Sequence, residues 1–232
     1  MKKIGIIFAM DKELDALKKY FSIENEYTLY NLDFYETSIN NLKVILVRSG
    51  VGKVNAARTT QVLISLDVDY IFNIGVAGGL SNSLNIGDIV VGEKLVQHDF
   101  DITAFDHPKG YIPEIKEEYI YSSKELINLT KEVLESLNEK VNIGTIASGD
   151  IFVTEEKMSN KINTKFNALC VEMEGGSIAQ VCYLCNIPFL IIRSISDVPN
   201  NNNVITYEEF VLESSSKVAK IMYELLKKCS NK

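Results

Sequence analysis

The stretch YIFNIGVAGG at residues 70–79 decides the fold that we predict, because an apolar strand there runs into a cluster of glycines. Residues 70–74 are almost continuously apolar, as is typical of a strand covered on both faces of a sheet. Comparable apolar runs occur at residues 4–9, 43–47, 89–96 and 189–195. Segments with helical periodicity lie between several of them. We therefore predict one α/β domain over residues 1–232, with a central, mixed and twisted β-sheet flanked by helices on both faces.

The composition excludes several classes of protein. The 232 residues include 46% hydrophobic and 24% charged residues, which is ordinary for a globular domain. The net charge of −7 argues against a nucleic-acid-binding surface, which needs clustered lysine and arginine. No apolar run approaches the about 20 residues that a transmembrane helix requires. The four cysteines fit free thiols in a reducing compartment, so we expect a cytoplasmic protein. From the charge and the short apolar runs, we expect it to bind neither nucleic acid nor membranes.

The sequence offers no convincing site for a metal or a cofactor. Cys182 and Cys185 form one C-x-x-C pair, but there is no second pair, and His98 and His107 lie far away in the sequence. The helical pattern around the pair places both thiols on one apolar face, where packing is the simpler explanation. The glycines of residues 75–79 match neither a P-loop nor a dinucleotide-binding fingerprint. We therefore expect a protein without metal or cofactor.

Polar and glycine-rich segments follow the ends of several predicted strands. In open α/β sheets ligands bind beyond the carboxyl ends of the strands, so these segments contain the candidates for a binding site. The candidates are Met10, Glu13, Val51, Ala77, Gly78, Phe152, Glu172, Met173, Glu174, Arg193, Ser196 and Asp197. Each of them alone could be an ordinary cap or turn residue. Their concentration at strand ends favours a site, in which glycines let the backbone approach a ligand closely.

Four carboxylates among these candidates suit the cleavage of a glycosidic bond. Glu172 and Glu174 share one face if residues 171–173 are extended, and a carboxylate can accept hydrogen bonds from both hydroxyls of a vicinal diol. Asp197 follows an apolar strand, and such surroundings favour a carboxyl that donates a proton. Glu13, at another strand end, could act as the opposing base. A helix cap or a surface charge is the alternative explanation for any one of them.

The order of seven motifs resembles that of a known enzyme family. The motifs are IGIIFAM at residues 4–10, SGVGK at 49–53, GVAGGL at 75–80, GDIVV at 87–91, SGD at 148–150, VEME at 171–174 and RSISD at 193–197. Over residues 3–228 the chain is similar to the 5′-methylthioadenosine/S-adenosylhomocysteine nucleosidases, within the purine nucleoside phosphorylase superfamily. VEME and RSISD together are specific, whereas SGVGK alone is not. The resemblance implies a nucleoside phosphorylase-like fold and hydrolysis of the N-glycosidic bond of both thionucleosides, releasing adenine and a thioribose.

The resemblance also implies roles for the candidates. Glu13 would activate the attacking water, and Asp197 would protonate adenine N7. Glu174, with the Met173 backbone, would hold the ribose hydroxyls, and Arg193 would help to place the water. The other implied contacts are Phe152 stacked on adenine, the Val153 backbone at its edge, Ser196 supporting the Asp197 loop, and Met10, Val51 and Tyr207 around the 5′-thio group.

Residues 99–119 are predicted to form a long loop, and structureless loops of this length usually carry function. The loop holds apolar residues, among them Ile112, that a single chain would struggle to bury. In the family a neighbouring subunit closes the 5′-thio pocket, so the resemblance assigns Ile102, Phe105 and Pro113 to the partner's site. We therefore expect a homodimer that binds a small adenine thionucleoside.

Two positions depart from the family pattern, since Val76 stands where a serine is usual and Phe8 where a glycine is common. The lost hydroxyl at residue 76 could slow turnover, but neither departure removes the proposed acid or base. Three alternatives stay open: a phosphate-dependent purine nucleoside phosphorylase, a futalosine-type nucleosidase and a non-catalytic nucleoside-binding protein. Glu13 argues against the first because a carboxylate repels phosphate, and the intact acid and base argue against the last.

Overall fold

Ten strands pair into one sheet in the computed structural model, which describes residues 2–198 and 203–230. The strands are β1 (Lys2–Phe8), β2 (Asn25–Leu29), β3 (Leu32–Ile39), β4 (Leu42–Arg48), β5 (Tyr70–Gly79), β6 (Ile89–Gln97), β7 (Ile120–Tyr121), β8 (Asn142–Ser148), β9 (Ala168–Glu172) and β10 (Phe189–Asp197). The helices in the same residues are α1 (Asp11–Lys18), α2 (Lys53–Ser65), α3 (Lys124–Ser136), α4 (Glu156–Phe166), α5 (Gly175–Leu184) and α6 (Asn203–Ser230).

The sheet is mixed, as the sequence predicts, and part of it closes on itself. Its strand order is β10-β6-β8-β9-β5-β1-β4-β3-β2, with β7 beside β6. Because β5 also pairs with β10, the five strands β10, β6, β8, β9 and β5 form a ring. Strands β1, β4, β5 and β10 run parallel to one another, whereas β6 is antiparallel to β10. The ring therefore brings together strand ends that a flat sheet would hold apart.

Helices cover both faces of the sheet, which confirms the predicted layers. One apolar cluster joins residues of β1, β4 and β10 to α1, α3 and α6, and includes Leu17, Val133 and Leu225. A second cluster on the opposite face joins the sheet to α2 and α5. A third, smaller cluster packs α4 against β9 through Ile162 and Phe166. The continuous apolar strands of the sequence are thus buried from two sides.

The glycine-rich run at residues 75–79 is the second half of β5, so it does not follow the end of a strand as we expected. Gly75 to Gly78 pair with residues 193–197 of β10, so the strand continues to its last glycine. The reason for glycine at position 75 is space, because a Cβ there would lie 2.5 Å from Glu13 Oε1. The glycine run therefore lets a carboxylate approach the backbone of a paired strand.

Residues 99–119 are irregular, as predicted, but the chain buries more of this loop than we expected. Ile112 is only 1% exposed and joins the second apolar cluster, because the Gly110 N–H donates to the Phe100 carbonyl and folds the loop back. A short 3-10 helix at Thr103–Phe105 interrupts the loop. Phe105 itself is 75% exposed. The prediction that one chain leaves the apolar residues of this loop exposed is therefore correct for Phe105 and wrong for Ile112.

Candidate active site

A cavity of about 490 Å³ lies where β1, β5, β9 and β10 end. Its lining residues are Ala9, Met10, Glu13, Val51, Val76, Ala77, Gly78, Phe152, Val171, Glu172, Met173, Glu174, Ser196, Asp197, Tyr207 and Glu208. Strand β9 runs antiparallel to the last residues of β5, so its carboxyl end returns towards the middle of that strand. The convergence predicted for one edge of the sheet is therefore real, but it arises from closure of the ring.

Glu13 lies at the bottom of the cavity and is 2% exposed. It belongs to the first turn of α1, and its Oε2 reaches back to accept hydrogen bonds from the N–H groups of Ala9 and Met10, each at 3.0 Å. Its Oε1 accepts from the Val76 N–H at 3.1 Å. Burial raises the pKa of this carboxyl, while the Arg193 charge and the three N–H groups oppose the shift. A carboxylate with a raised pKa is a stronger base, as proton abstraction from water requires.

A buried ionic cluster of Asn73, Glu172 and Arg193 stands beside Glu13, and we call these four residues the back wall. Arg193 is 1% exposed and donates to the Glu172 carboxylate and to the Asn73 side chain. Burial disfavours its charge, but the carboxylates of Glu172, Glu174 and Glu13 outweigh that cost and raise the pKa of Arg193. The back wall therefore holds a permanent cation among buried carboxylates.

Glu172 and Glu174 do not share one face of an extended strand, contrary to the prediction. Strand β9 ends at Glu172, and Glu174 is the N-cap of α5. Glu172 accepts hydrogen bonds from Arg193, from the Ser148 hydroxyl and from the Gly175 N–H. Its carboxylate is therefore engaged by the protein itself. Glu172 also accepts from the Glu174 N–H at 3.1 Å, so the two residues stay neighbours although the strand ends at Glu172.

Glu174 is 6% exposed and lines the cavity, where its Oε1 accepts from the Gly52 N–H at 2.9 Å. Burial and the neighbouring Glu172 raise the pKa of Glu174 to about 7, against the opposing influence of Arg193 and Gly52. Gly52 has a φ of +98°, in the region that favours glycine. A second segment of the chain, before α2, thus holds this carboxylate.

Asp197 ends β10 and is 2% exposed, although its position in the sequence predicts the start of a polar loop. Its Oδ1 accepts from the Ser196 hydroxyl at 2.8 Å. Both residues line the cavity. Pairing of β10 with β5 places Asp197 beside Gly78. The acid candidate and Glu13 therefore contribute to the same cavity from different strands.

The entrance to the cavity is apolar and partly exposed, and we call Met10, Val51, Phe152 and Tyr207 the mouth. Val51 is 49% exposed and Phe152 45% exposed. The rings of Phe152 and Tyr207 meet edge to face, with centroids 5.7 Å apart. The Tyr207 hydroxyl donates to Met10 Sδ at 2.9 Å, and burial together with nearby carboxylates raises the pKa of Tyr207 to about 12. The mouth thus offers apolar and aromatic surface.

Most of the predicted site residues meet at this cavity, but five do not line it. Arg193 lies behind it in the back wall, and Val153 is buried in the third apolar cluster. Ile102, Phe105 and Pro113 lie on the long loop, and Phe105 and Pro113 are exposed. We missed Asn73 and Ser148, which hold Arg193 and Glu172. The signal that could have revealed the role of Asn73 is its polar side chain inside an otherwise apolar strand.

The part of the chain that the structure describes contains no group of three or more His, Cys, Asp or Glu arranged to hold a metal ion. Cys182 is buried, whereas Cys185 is the C-cap of α5 and is only partly buried, so the two thiols differ in burial. None of the helices in the described ranges has the length and apolar character needed to cross a membrane.

Comparison with known proteins agrees with the fold. Residues 3–229 match the family model described as the phosphorylase superfamily. A 5′-methylthioadenosine/S-adenosylhomocysteine nucleosidase of Staphylococcus carnosus is 39% identical over 97% of this chain and 99% of its own. The chain belongs to this nucleosidase family within the phosphorylase superfamily. The resemblance found in the motifs is thereby confirmed.

Solved structures of the nucleosidase family have the same fold. A Helicobacter pylori 5′-methylthioadenosine/S-adenosylhomocysteine nucleosidase, complexed with a pyrrolidinol that carries an aminopyrrolopyrimidine and a propynylthio group, superposes with a TM-score of 0.95. It is 35% identical, over 98% of each chain. A Helicobacter pylori futalosine hydrolase also gives a TM-score of 0.95 at 35% identity over 98% of each chain.

Proposed function

We propose that this protein hydrolyses the N-glycosidic bond of 5′-methylthioadenosine and S-adenosylhomocysteine. The observation that carries the proposal is Glu13, a buried carboxylate held by three backbone N–H groups at the bottom of a cavity. A carboxylate there suits the activation of water. The family and the apolar mouth support a thionucleoside as the substrate.

In the proposed reaction, Asp197 donates a proton to adenine N7 as the bond between C1′ and N9 breaks. Adenine then leaves neutral, and the ribose passes through an oxocarbenium-like state. Water bonds to C1′ while Glu13 takes its proton. Exchange of protons with solvent returns both carboxyls to their starting states.

The remaining residues would bind the substrate around this reaction. Glu174 would accept hydrogen bonds from the ribose hydroxyls, helped by the Met173 backbone. Phe152 would stack on adenine, with the Val153 backbone at its edge. Ala77 and Gly78 would lie against the nucleoside. Arg193, held by Glu172, would help to place the water, and Ser196 would orient Asp197 through the hydrogen bond between their side chains.

A phosphorylase is disfavoured by the charge of the cavity. Among the described residues, the lining includes Glu13, Glu172, Glu174, Asp197 and Glu208 but no lysine or arginine. Phosphate needs cationic or N–H donors facing it. Arg193 is buried behind the lining and already donates to Glu172. A non-catalytic binding protein is disfavoured because both the acid and the base line the same cavity.

A futalosine-type nucleosidase is the second candidate, because a Helicobacter pylori futalosine hydrolase shares the fold as closely as the nucleosidase does. Both activities cleave the N-glycosidic bond of a nucleoside, and they differ in which nucleoside the cavity accepts. The apolar mouth favours a thioether. Rates with futalosine and with 5′-methylthioadenosine, measured side by side, distinguish the two.

We further propose that the active unit is a cytoplasmic homodimer. Ile102, Phe105 and Pro113 of the partner subunit would cover the mouth, and the exposed Phe105 and Val51 support this arrangement. Cys170, Cys182 and Cys185 are free thiols, which fits a reducing compartment.

The test is to incubate the purified protein with 5′-methylthioadenosine, with and without phosphate, and to identify the products. We expect adenine and methylthioribose in both cases. A sugar 1-phosphate, with no turnover when phosphate is left out, would show a phosphorylase. If no adenine is released under either condition, the non-catalytic nucleoside-binding protein is the alternative that remains.

A further inference from the structure

The start of α2 is tied to the segments that follow β6 and β8 by a partly buried ionic network. Lys53 Nζ donates to Asp99 Oδ1 at 2.7 Å and to Gln97 Oε1 at 3.2 Å. Asp99 Oδ2 in turn accepts from the Asp150 N–H at 2.9 Å. Asp150 Oδ1 accepts from the Lys53 N–H at 2.8 Å, which closes the network.

The two segments joined in this way both reach the cavity. Gly52, next to Lys53, donates its N–H to the Glu174 carboxylate. Phe152, two residues after Asp150, lines the mouth. The spacing is tight, because a Cβ on Gly52 would lie 3.1 Å from Asp150 Oδ1. A shift of either segment would therefore move the other.

The network is not an ordinary surface ion pair. The side chains of Lys53 and Asp99 are 18% and 20% exposed, and in the described residues only the Arg193–Glu172 pair is more buried. Exposed pairs contribute little because solvent screens them and their side chains are mobile. Here burial disfavours the Asp99 charge, yet Lys53 and the Asp150 N–H lower the pKa of Asp99. The pair is therefore ionised and held in one geometry.

We infer that Lys53, Asp99 and Asp150 are positioning residues that fix the spacing between the ribose-binding Glu174 and the adenine-stacking Phe152. This inference rests on the proposed function. The three residues act through others, since none of them lines the cavity. Loss of the network would weaken nucleoside binding more than the chemical step, because Glu13 and Asp197 are held by other elements.

The test compares Lys53→Met with Lys53→Arg, which keeps the cation. For Lys53→Met we expect KM for 5′-methylthioadenosine to rise about tenfold, as for the loss of one hydrogen bond to a charged group. The kcat value should stay within about threefold, which is the signature of lost binding. Lys53→Arg should recover most of the loss in KM.

The pH dependence of kcat/KM is a second measurement, and it would not change if the network had only a structural role. The Gly52 N–H lowers the pKa of Glu174, so weakening that bond raises this pKa further and shifts the acid limb of kcat/KM to higher pH. The other charged groups that act on Glu174 are Glu172, Arg193 and Glu13, and the substitution leaves them in place. The matched control is Lys217→Met on α6, which removes an ion pair with Glu139 in the segment after α3 and should change neither KM nor the pH profile.

The outcomes separate this inference from the proposed function. If the wild-type protein releases no adenine, the proposed function fails and the inference fails with it. If the wild type is active and Lys53→Met keeps its KM and pH profile, the network has no positioning role. If Lys53→Met does not fold, Asp99→Asn, which keeps the side-chain size, must show the same rise in KM and shift of the acid limb, and their absence would overturn the inference.

Discussion

The back wall and the mouth are built in opposite ways. Arg193 and Asn73 in the back wall are each 1% exposed and bonded to each other, whereas Val51 and Phe152 in the mouth are about half exposed. The back wall is made within one chain, by three paired strands and the first turn of α1. The mouth consists of apolar side chains that water still reaches. One chain therefore completes the ionic part of the site and leaves the apolar part open.

The largest expected effect comes from removing the acid or the base. Glu13→Gln and Asp197→Asn should each lower kcat by about 10²–10⁴-fold, the usual contribution of one general acid or base. Both substitutions keep the size of the side chain, so the fold should survive. Steady-state kinetics with 5′-methylthioadenosine measures the loss, and circular dichroism checks the fold. A loss below about threefold for either would assign the role to another residue.

The next effect concerns the stability of the back wall. Glu172→Gln leaves the buried Arg193 charge without its direct partner and should lower the free energy of unfolding by about 3–5 kcal/mol. Urea denaturation measures this change. Glu139→Gln is the control, because it breaks a more exposed pair and should cost at most about 1 kcal/mol. If both substitutions lowered the free energy of unfolding equally, the buried Arg193–Glu172 pair would stabilise the fold no more than the more exposed Lys217–Glu139 pair does.

A smaller effect is expected from pH. Because burial and Glu172 raise the pKa of Glu174 to about 7, this carboxyl becomes protonated as the pH falls below that value. A protonated carboxyl accepts fewer hydrogen bonds, so KM should rise on the acid side, by up to about tenfold per pH unit. Measuring KM between pH 8 and pH 5.5 tests this. A KM that is constant over the range would contradict the binding role of Glu174.

The sequence predicts the back wall incompletely because its contacts are made between distant strands. Glu13, Glu172 and Arg193 stand out as charged residues beside apolar runs, and all three lie at or behind the cavity. The role of Asn73 depends on the register of β5 against β10, which no local pattern reveals. The ring closure that brings β9 to β5 is a property of the whole sheet.

The glycine run shows a second limit. Glycines after an apolar strand predict a turn, since glycine is poor at packing within a strand. In β5 they serve close packing, because Gly75 leaves room for the Glu13 carboxylate. The helices were predicted from their periodicity and the strands from their apolar runs, because both patterns reflect which side chains are buried. Why a glycine is needed at a given position can be seen only from the residues that lie next to it in the folded chain.

The open mouth predicts that a second subunit takes part in each site. Phe105→Asp should lower kcat/KM by about tenfold or more, because it places a charge where an apolar side chain is proposed to cover the substrate. Glu13→Gln disables the other half of the same site. In a shared site, Glu13→Gln removes the base that one subunit supplies, and Phe105→Asp removes the apolar cover that the other subunit supplies.

Mixing the two inactive variants tests this account most directly. Subunits with Glu13→Gln and subunits with Phe105→Asp are unfolded together, refolded and assayed with 5′-methylthioadenosine. Shared sites predict recovery to about one quarter of the wild-type activity, since half of the randomly formed dimers contain both variants and each of these has one intact site. Activity no higher than the mean of the two separate variants would show that each chain builds its whole site alone.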